Sequence, residues 1–137
     1  MTFNDPLQQL AVRLAIKARD PDLDGYKPLT HQVEFHSDPS GGRINFGGNR
    51  SGKSYSSVCE MVFWATGTHP YRATPRPPVS LRHVAVDRPQ GIDKVLKELY
   101  KKITPPRYLR GGNWDSAWQN TPPVLHFENG SFIEFLT

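Results

Sequence analysis

With 137 residues the chain has room for one modest core and not for two ordinary domains. Cys59 is the only cysteine, which excludes an intramolecular disulfide and a cysteine-based zinc cluster; no apolar run approaches the roughly 18 residues of a membrane span, and no charged-then-apolar leader opens the chain, so a reducing cytoplasm is expected. The formal charge of +4 is uneven: residues 61–110 hold 10 Lys and Arg against 3 acids, whereas 111–137 hold 3 acids and no Lys or Arg, a pattern that fits either a polyanionic partner such as DNA or a solvated basic helix face.

Asp5-Pro6 reads as an N-cap followed by proline at the first helical position, and Leu7, Leu10, Ala11, Leu14 and Ala18 then recur at helical spacing. Asp20-Pro21-Asp22-Leu23-Asp24-Gly25 imitates a calcium loop, with carboxylates at its first, third and fifth positions. His31 stands where the bidentate Glu is required, so an acidic connector is expected instead. Residues 1–25 thus form an N-terminal helix and linker ahead of a main domain, 26–137.

Pro28 to His36 precedes the most informative stretch of the chain. The Gln32 amide offers a donor and an acceptor that match adenine's N6 and N7 edge, with Phe35 placed to pack near the base. The competing reading is a plain capped helix with Thr30 at its N-cap and Val33 and Phe35 in the core.

Arg43 to Phe46 reads as a short strand, followed directly by Gly47-Gly48-Asn49-Arg50-Ser51-Gly52-Lys53-Ser54, which matches the phosphate-loop pattern without a gap. Concentrated phosphate charge can be met by successive backbone N–H groups and a helix N-terminus, and Gly47, Gly48 and Gly52 let the backbone come close. Asn49 and Ser51 complete the loop, Lys53 reaches the β- and γ-phosphates, and the Ser54 hydroxyl sits on Mg²⁺; the expected cofactors are therefore ATP and Mg²⁺. Ser54 to Ala65 follows as a helix with Val58, Met61, Val62 and Ala65 on one stripe, so strand, loop and helix occur in the order the chemistry demands.

Beyond Thr66 a Pro- and Arg-rich loop runs through Pro78. Val79 to Val86 is a second strand, and Pro89 to Ile103 a basic helix with Ile92, Val95, Leu96 and Leu99 inward. Alternating strands and helices predict an α/β fold with a mainly parallel sheet. The end differs: Val124 to Glu128 and Ser131 to Leu136 flank Asn129-Gly130 and predict an antiparallel hairpin, while Trp114 and Trp118 are expected to plug the edge of the core.

Gln32 with Phe35-His36, the Gly-Gly-Asn-Arg-Ser-Gly-Lys-Ser loop, Glu60, Thr66-Gly67-Thr68-His69-Pro70-Tyr71 and the Asn129-to-Phe135 hairpin together resemble the ATPase domain of bacteriophage terminase large subunits, over residues 26 to 137. The resemblance implies a P-loop NTPase three-layer sandwich, here partial. It implies an ATP-driven motor that moves double-stranded DNA through a portal protein into a procapsid, acting with a small terminase subunit as a ring homo-oligomer in the host cytoplasm, with no membrane involved. By position, Lys53 and Ser54 hold phosphate and Mg²⁺ and Gln32 reads adenine. Arg50 either stabilises charge on the transferring phosphoryl group or pairs with an acid such as Glu60.

The chain departs from the family in one respect. Its acids after the loop, Glu60, Asp87, Asp93, Glu98, Asp115, Glu128 and Glu134, are nowhere adjacent, so no Asp-Glu strand is present to hold Mg²⁺ and orient water. Asp87, at the end of the strand Leu81 to Asp87, is the sole internal candidate. The expectation is a truncated large subunit, inactive as an ATPase by itself. The rivals are a helicase-like P-loop motor and a non-catalytic nucleotide- or DNA-binding module.

Overall fold

A computed structural model of the chain describes residues 6–7, 23, 26–42 and 52–137. The expected N-terminal helix apart from Pro6 and Leu7, the acidic run apart from Leu23, the strand Arg43 to Phe46, and Gly47, Gly48, Asn49, Arg50 and Ser51 of the loop lie outside the described residues.

In chain order the elements are α1 (Thr30–Ser37), α2 (Lys53–Thr66) and β1 (Ser80–Val84), then a π-helical segment, Arg88–Leu96, that runs into α3 (Lys97–Ile103). Two single 3-10 turns, Pro106–Tyr108 and Arg110–Gly112, lead to α4 (Trp114–Ala117), β2 (Trp118–Asn120), β3 (Pro123–His126) and β4 (Phe132–Leu136). The fold is mixed helix and sheet. The four strands lie in the order β1-β4-β3-β2. β1 and β4 are parallel, with Leu81 opposite Ile133 and His83 opposite Phe135, whereas β3 pairs antiparallel with both β4 and β2. The parallel majority expected from alternating units is therefore not found among the described strands: after α3 the chain returns through a meander, and a meander pairs neighbours antiparallel.

α2 is the spine of the core. Val58, Cys59, Val62, Phe63 and Ala65 are buried along it, against Ile92, Leu96, Tyr100 and Ile103 of the following helical segments and Leu125, Ile133 and Phe135 of the sheet. Each Val, Leu, Ile or Phe among them contributes about 1.5–3 kcal/mol by leaving water. The sheet face carrying His83 and Phe135 is covered by Tyr100 of α3, whose ring lies 5.2 Å from Phe135 and whose hydroxyl is hydrogen-bonded to His83 Nδ1 at 2.7 Å. The opposite face carries the exposed Arg82–Glu134 pair at 3.2 Å, worth about 0–1 kcal/mol in such a position.

The hairpin forms between β3 and β4, with a three-residue loop, Glu128-Asn129-Gly130: Phe127 N–H donates to the Ser131 carbonyl at 2.9 Å, and Asn129 Oδ1 accepts from Ser131 N–H at 2.9 Å. Asn129 Nδ2 also donates to the Ala65 carbonyl at 2.8 Å, tying the hairpin to the last turn of α2. Trp114 and Trp118 stack at 5.5 Å with Trp118 against Phe135 at 5.4 Å, so they close the core edge as expected.

Two expectations need correction. The second strand stops at Val84, short of Val86 and Asp87, and Val86 is 98% exposed. Asp87 instead caps the next helix: its Oδ1 accepts from Gln90 N–H and Gly91 N–H, both at 2.9 Å. The helix expected over Pro89 to Ile103 is wound wide in its first part, with Ile92 N–H reaching back five residues to the Asp87 carbonyl. Its start presses on the strand exit, for a Cβ at Gly91 would stand 2.9 Å from the Ala85 Cβ. Among the described residues no helix is long and apolar enough to cross a membrane.

Candidate nucleotide site

An α-helix has no acceptors of its own for its first N–H groups, which makes that end a natural seat for anions. α2 begins at Lys53, is entered through Gly52, and carries no acidic residue in its first turn. Gly52 has φ +86°, a left-handed conformation that favours glycine, and a Cβ there would stand 2.4 Å from Gln32 Nε2. Lys53 is half-buried and Ser54 exposed. The Gly52 carbonyl accepts from Ser56 N–H at 2.9 Å, and the Ser56 hydroxyl donates to the Lys53 carbonyl at 3.0 Å, fixing the first turn.

α1 is built differently from the plain capped helix weighed above. Its N-cap is Leu29 rather than Thr30, and its buried residues are polar, Gln32 and His36, while Val33 and Phe35 are only half-buried. Gln32 Oε1 accepts from Leu29 N–H at 2.8 Å and Gln32 Nε2 donates to the Gly52 carbonyl at 3.0 Å. The structure thus brings Gln32 onto the end of the phosphate-loop motif, 20 residues away in sequence. Phe35 stands beside the His36 ring, 5.5 Å between centroids.

The second buried residue of α1 leads to a cluster that sequence reasoning did not single out. Glu60, 6% exposed on α2, accepts from His36 Nδ1–H at 2.6 Å, from Trp64 Nε1–H at 2.9 Å and from His69 Nε2–H at 2.9 Å. Tyr26 O–H donates to His36 Nε2 at 2.6 Å. Burial would raise the Glu60 carboxyl, but the three N–H donors outweigh it and hold the group well below the usual carboxylate range. Burial, reinforced by the neighbouring Cys59 thiol, pushes the Tyr26 hydroxyl well above its ordinary value, so it remains a donor. Burial and the Glu60 charge push Cys59 itself up to about 12, which makes it an inert core thiol. The available signals were Glu60, an acid within the mostly apolar run of α2, and His36 one turn beyond Gln32.

His36, Glu60 and His69 place one ligand atom each within 4.8 Å of one another, the donor set of a zinc site. The hydrogen bonds in this arrangement argue against that use. His69 Nδ1 accepts from Tyr71 N–H at 3.1 Å and from Arg72 N–H at 3.2 Å. A neutral ring accepting at Nδ1 carries its proton on Nε2, so the nitrogen facing Glu60 has no lone pair for a metal. The cluster is a proton-ordered hydrogen-bond network.

No protein-family model, no curated protein and no solved structure matches the chain.

Proposed function

We propose that this chain is the N-terminal ATPase portion of a phage terminase large subunit, a P-loop NTPase-type domain that binds Mg-ATP to drive double-stranded DNA into a procapsid through a portal protein. The observation that carries the reading is the Gln32–Gly52 hydrogen bond, which joins a candidate adenine reader to the end of a gap-free phosphate-loop motif. A primary amide has two N–H groups and two lone pairs; Gln32 uses one of each on Gly52 and Leu29, leaving one of each for a base edge. The first turn of α2, with Lys53 and without an acid, has the chemistry a polyphosphate requires.

In this reading bound Mg-ATP supplies phosphoryl transfer. The loop residues Gly47, Gly48, Asn49, Ser51 and Gly52 would offer backbone N–H groups, Lys53 would neutralise phosphate charge, Ser54 would hold the metal, and Arg50 would stabilise charge on the transferring group. Asp87 has its carboxylate engaged as a helix cap, which argues against it as the Mg²⁺ ligand. The 10 basic residues of 61–110 would supply the positive charge that a duplex DNA partner requires. Separate titrations with Mg-ATP and with a short duplex test the reading: both are expected to bind, and Lys53→Ala to weaken the first and leave the second intact. A protein that binds neither overturns it.

A further inference from the structure

We propose that the Tyr26–His36–Glu60–His69 network is a positioning device for the base half of the nucleotide site, fixing the angle between α1 and α2 so that Gln32 stays in register with the phosphate loop. The proposal rests on the nucleotide-site reading above. A single hydrogen bond between two helices is a pivot; two, separated along both helices, fix their angle. α1 and α2 are tied at Gln32–Gly52 and again at His36–Glu60, four residues further along α1 and eight along α2.

The second tie is itself held from behind. Glu60 receives His69, and the segment after α2 turns back so that Arg72 Nη1 donates to the Asp38 carbonyl at the end of α1, at 2.9 Å. The Tyr71 ring stacks on His36 at 5.9 Å and 11°, and the Arg72 guanidinium lies 5.3 Å from the centre of Trp64, another Glu60 donor. From Asp38 through Arg72, His69, Glu60 and His36 the contacts return to α1 as a closed ring. An acceptor-only carboxylate suits its centre, because all three partners facing it present N–H. An amide there turns its own N–H toward at least one of those donors. The phosphate half of the site depends less on this angle, since Lys53 and the first N–H groups of the helix belong to α2 itself.

The distinguishing experiment compares the affinities of the purified protein for Mg-ATP and for inorganic tripolyphosphate, which has the phosphate chain and no base. Glu60→Gln is expected to weaken ATP binding by about tenfold and tripolyphosphate by less than about twofold, because only the base contact depends on the helix angle. Tyr26→Phe, which removes the outermost hydroxyl of the network and keeps its volume, is expected to weaken ATP alone by roughly threefold. It supplies the test if Glu60→Gln does not fold. Equal losses for both ligands, as a purely structural network would give, or unchanged ATP affinity in a folded variant overturn the proposal. Lys53→Ala serves as the separate control: if it changes neither affinity, the nucleotide-site reading has failed rather than the positioning role.

Discussion

Gly52→Ala is a single-methyl perturbation that tests whether the entry to α2 is built as described. An alanine at φ +86° meets the left-handed penalty of about 1–2 kcal/mol. Its Cβ would also lie 2.4 Å from Gln32 Nε2, so the amide must withdraw from the Gly52 carbonyl. Gln32 is 5% exposed, and a buried polar group stripped of its partner costs about 1–3 kcal/mol. Together these give a loss of roughly 2–5 kcal/mol, and at about 3–5 °C per kcal/mol for a chain of this size the melting temperature should fall by about 6–25 °C. Thermal melts followed by circular dichroism measure the loss, and a double-mutant cycle with Gln32→Ala apportions it. In the Gln32→Ala background only the backbone term remains, so the two substitutions should couple by about 1–3 kcal/mol. Additive effects, or a Gly52→Ala loss below about 0.5 kcal/mol, refute the contact between the two helices.

Three further outcomes are expected. Stability should fall with acid in two stages: burial holds His83 below its ordinary value, so its contribution is complete above about pH 6.5 and fades as pH drops, and Glu60, held low by its donors, adds a second loss beneath about pH 4.3. His83→Gln should shrink the first stage, leaving the part due to His126, which burial and the nearby Arg110 also hold below its ordinary value, and a melting temperature flat across both ranges contradicts the assignment. Asp87→Ala should cost about 0.5–2 kcal/mol through its lost cap and leave Mg-ATP affinity unchanged; a selective loss of affinity would mark Asp87 as a metal ligand after all. Duplex DNA binding should weaken by at least about tenfold between 50 and 200 mM salt and differ little between unrelated sequences, whereas clear discrimination at equal salt would rule out a purely electrostatic contact.

The elements that local pattern controls were legible in the sequence. α2 is an amphipathic run bounded by Gly52 and Gly67, and the hairpin is announced by Asn129-Gly130. The elements that tertiary contact controls were not. Asp87 reads as the last residue of a strand because Val84-Ala85-Val86 continue its apolar pattern; only the structure reveals its carboxylate bound to the N–H groups of Gln90 and Gly91, ending the strand early. β2 falls in a Trp- and Gln-containing stretch with no alternation, and its place is set by pairing with β3.

The candidate site divides along the same line. The phosphate-loop motif is contiguous and therefore readable, whereas Gln32–Gly52 and His36–Glu60 join positions 20 and 24 residues apart. Burying Gln32 and His36 in α1 while leaving Val33 and Phe35 half-exposed inverts the usual preference, and no hydrophobic periodicity forecasts it. The inversion is stable because each buried polar atom meets a partner: the Gly52 carbonyl, the Leu29 N–H, the Glu60 carboxylate and the Tyr26 hydroxyl.

The central claim is that the chain holds a nucleoside triphosphate by its phosphates at the start of α2. Calorimetric titration of Mg-ATP into the protein and into Lys53→Ala tests it most directly. Removing the ammonium deletes a charge-assisted contact of about 1.5–3 kcal/mol, so the variant should bind at least about tenfold more weakly. Equal affinity in the two proteins would contradict the claim.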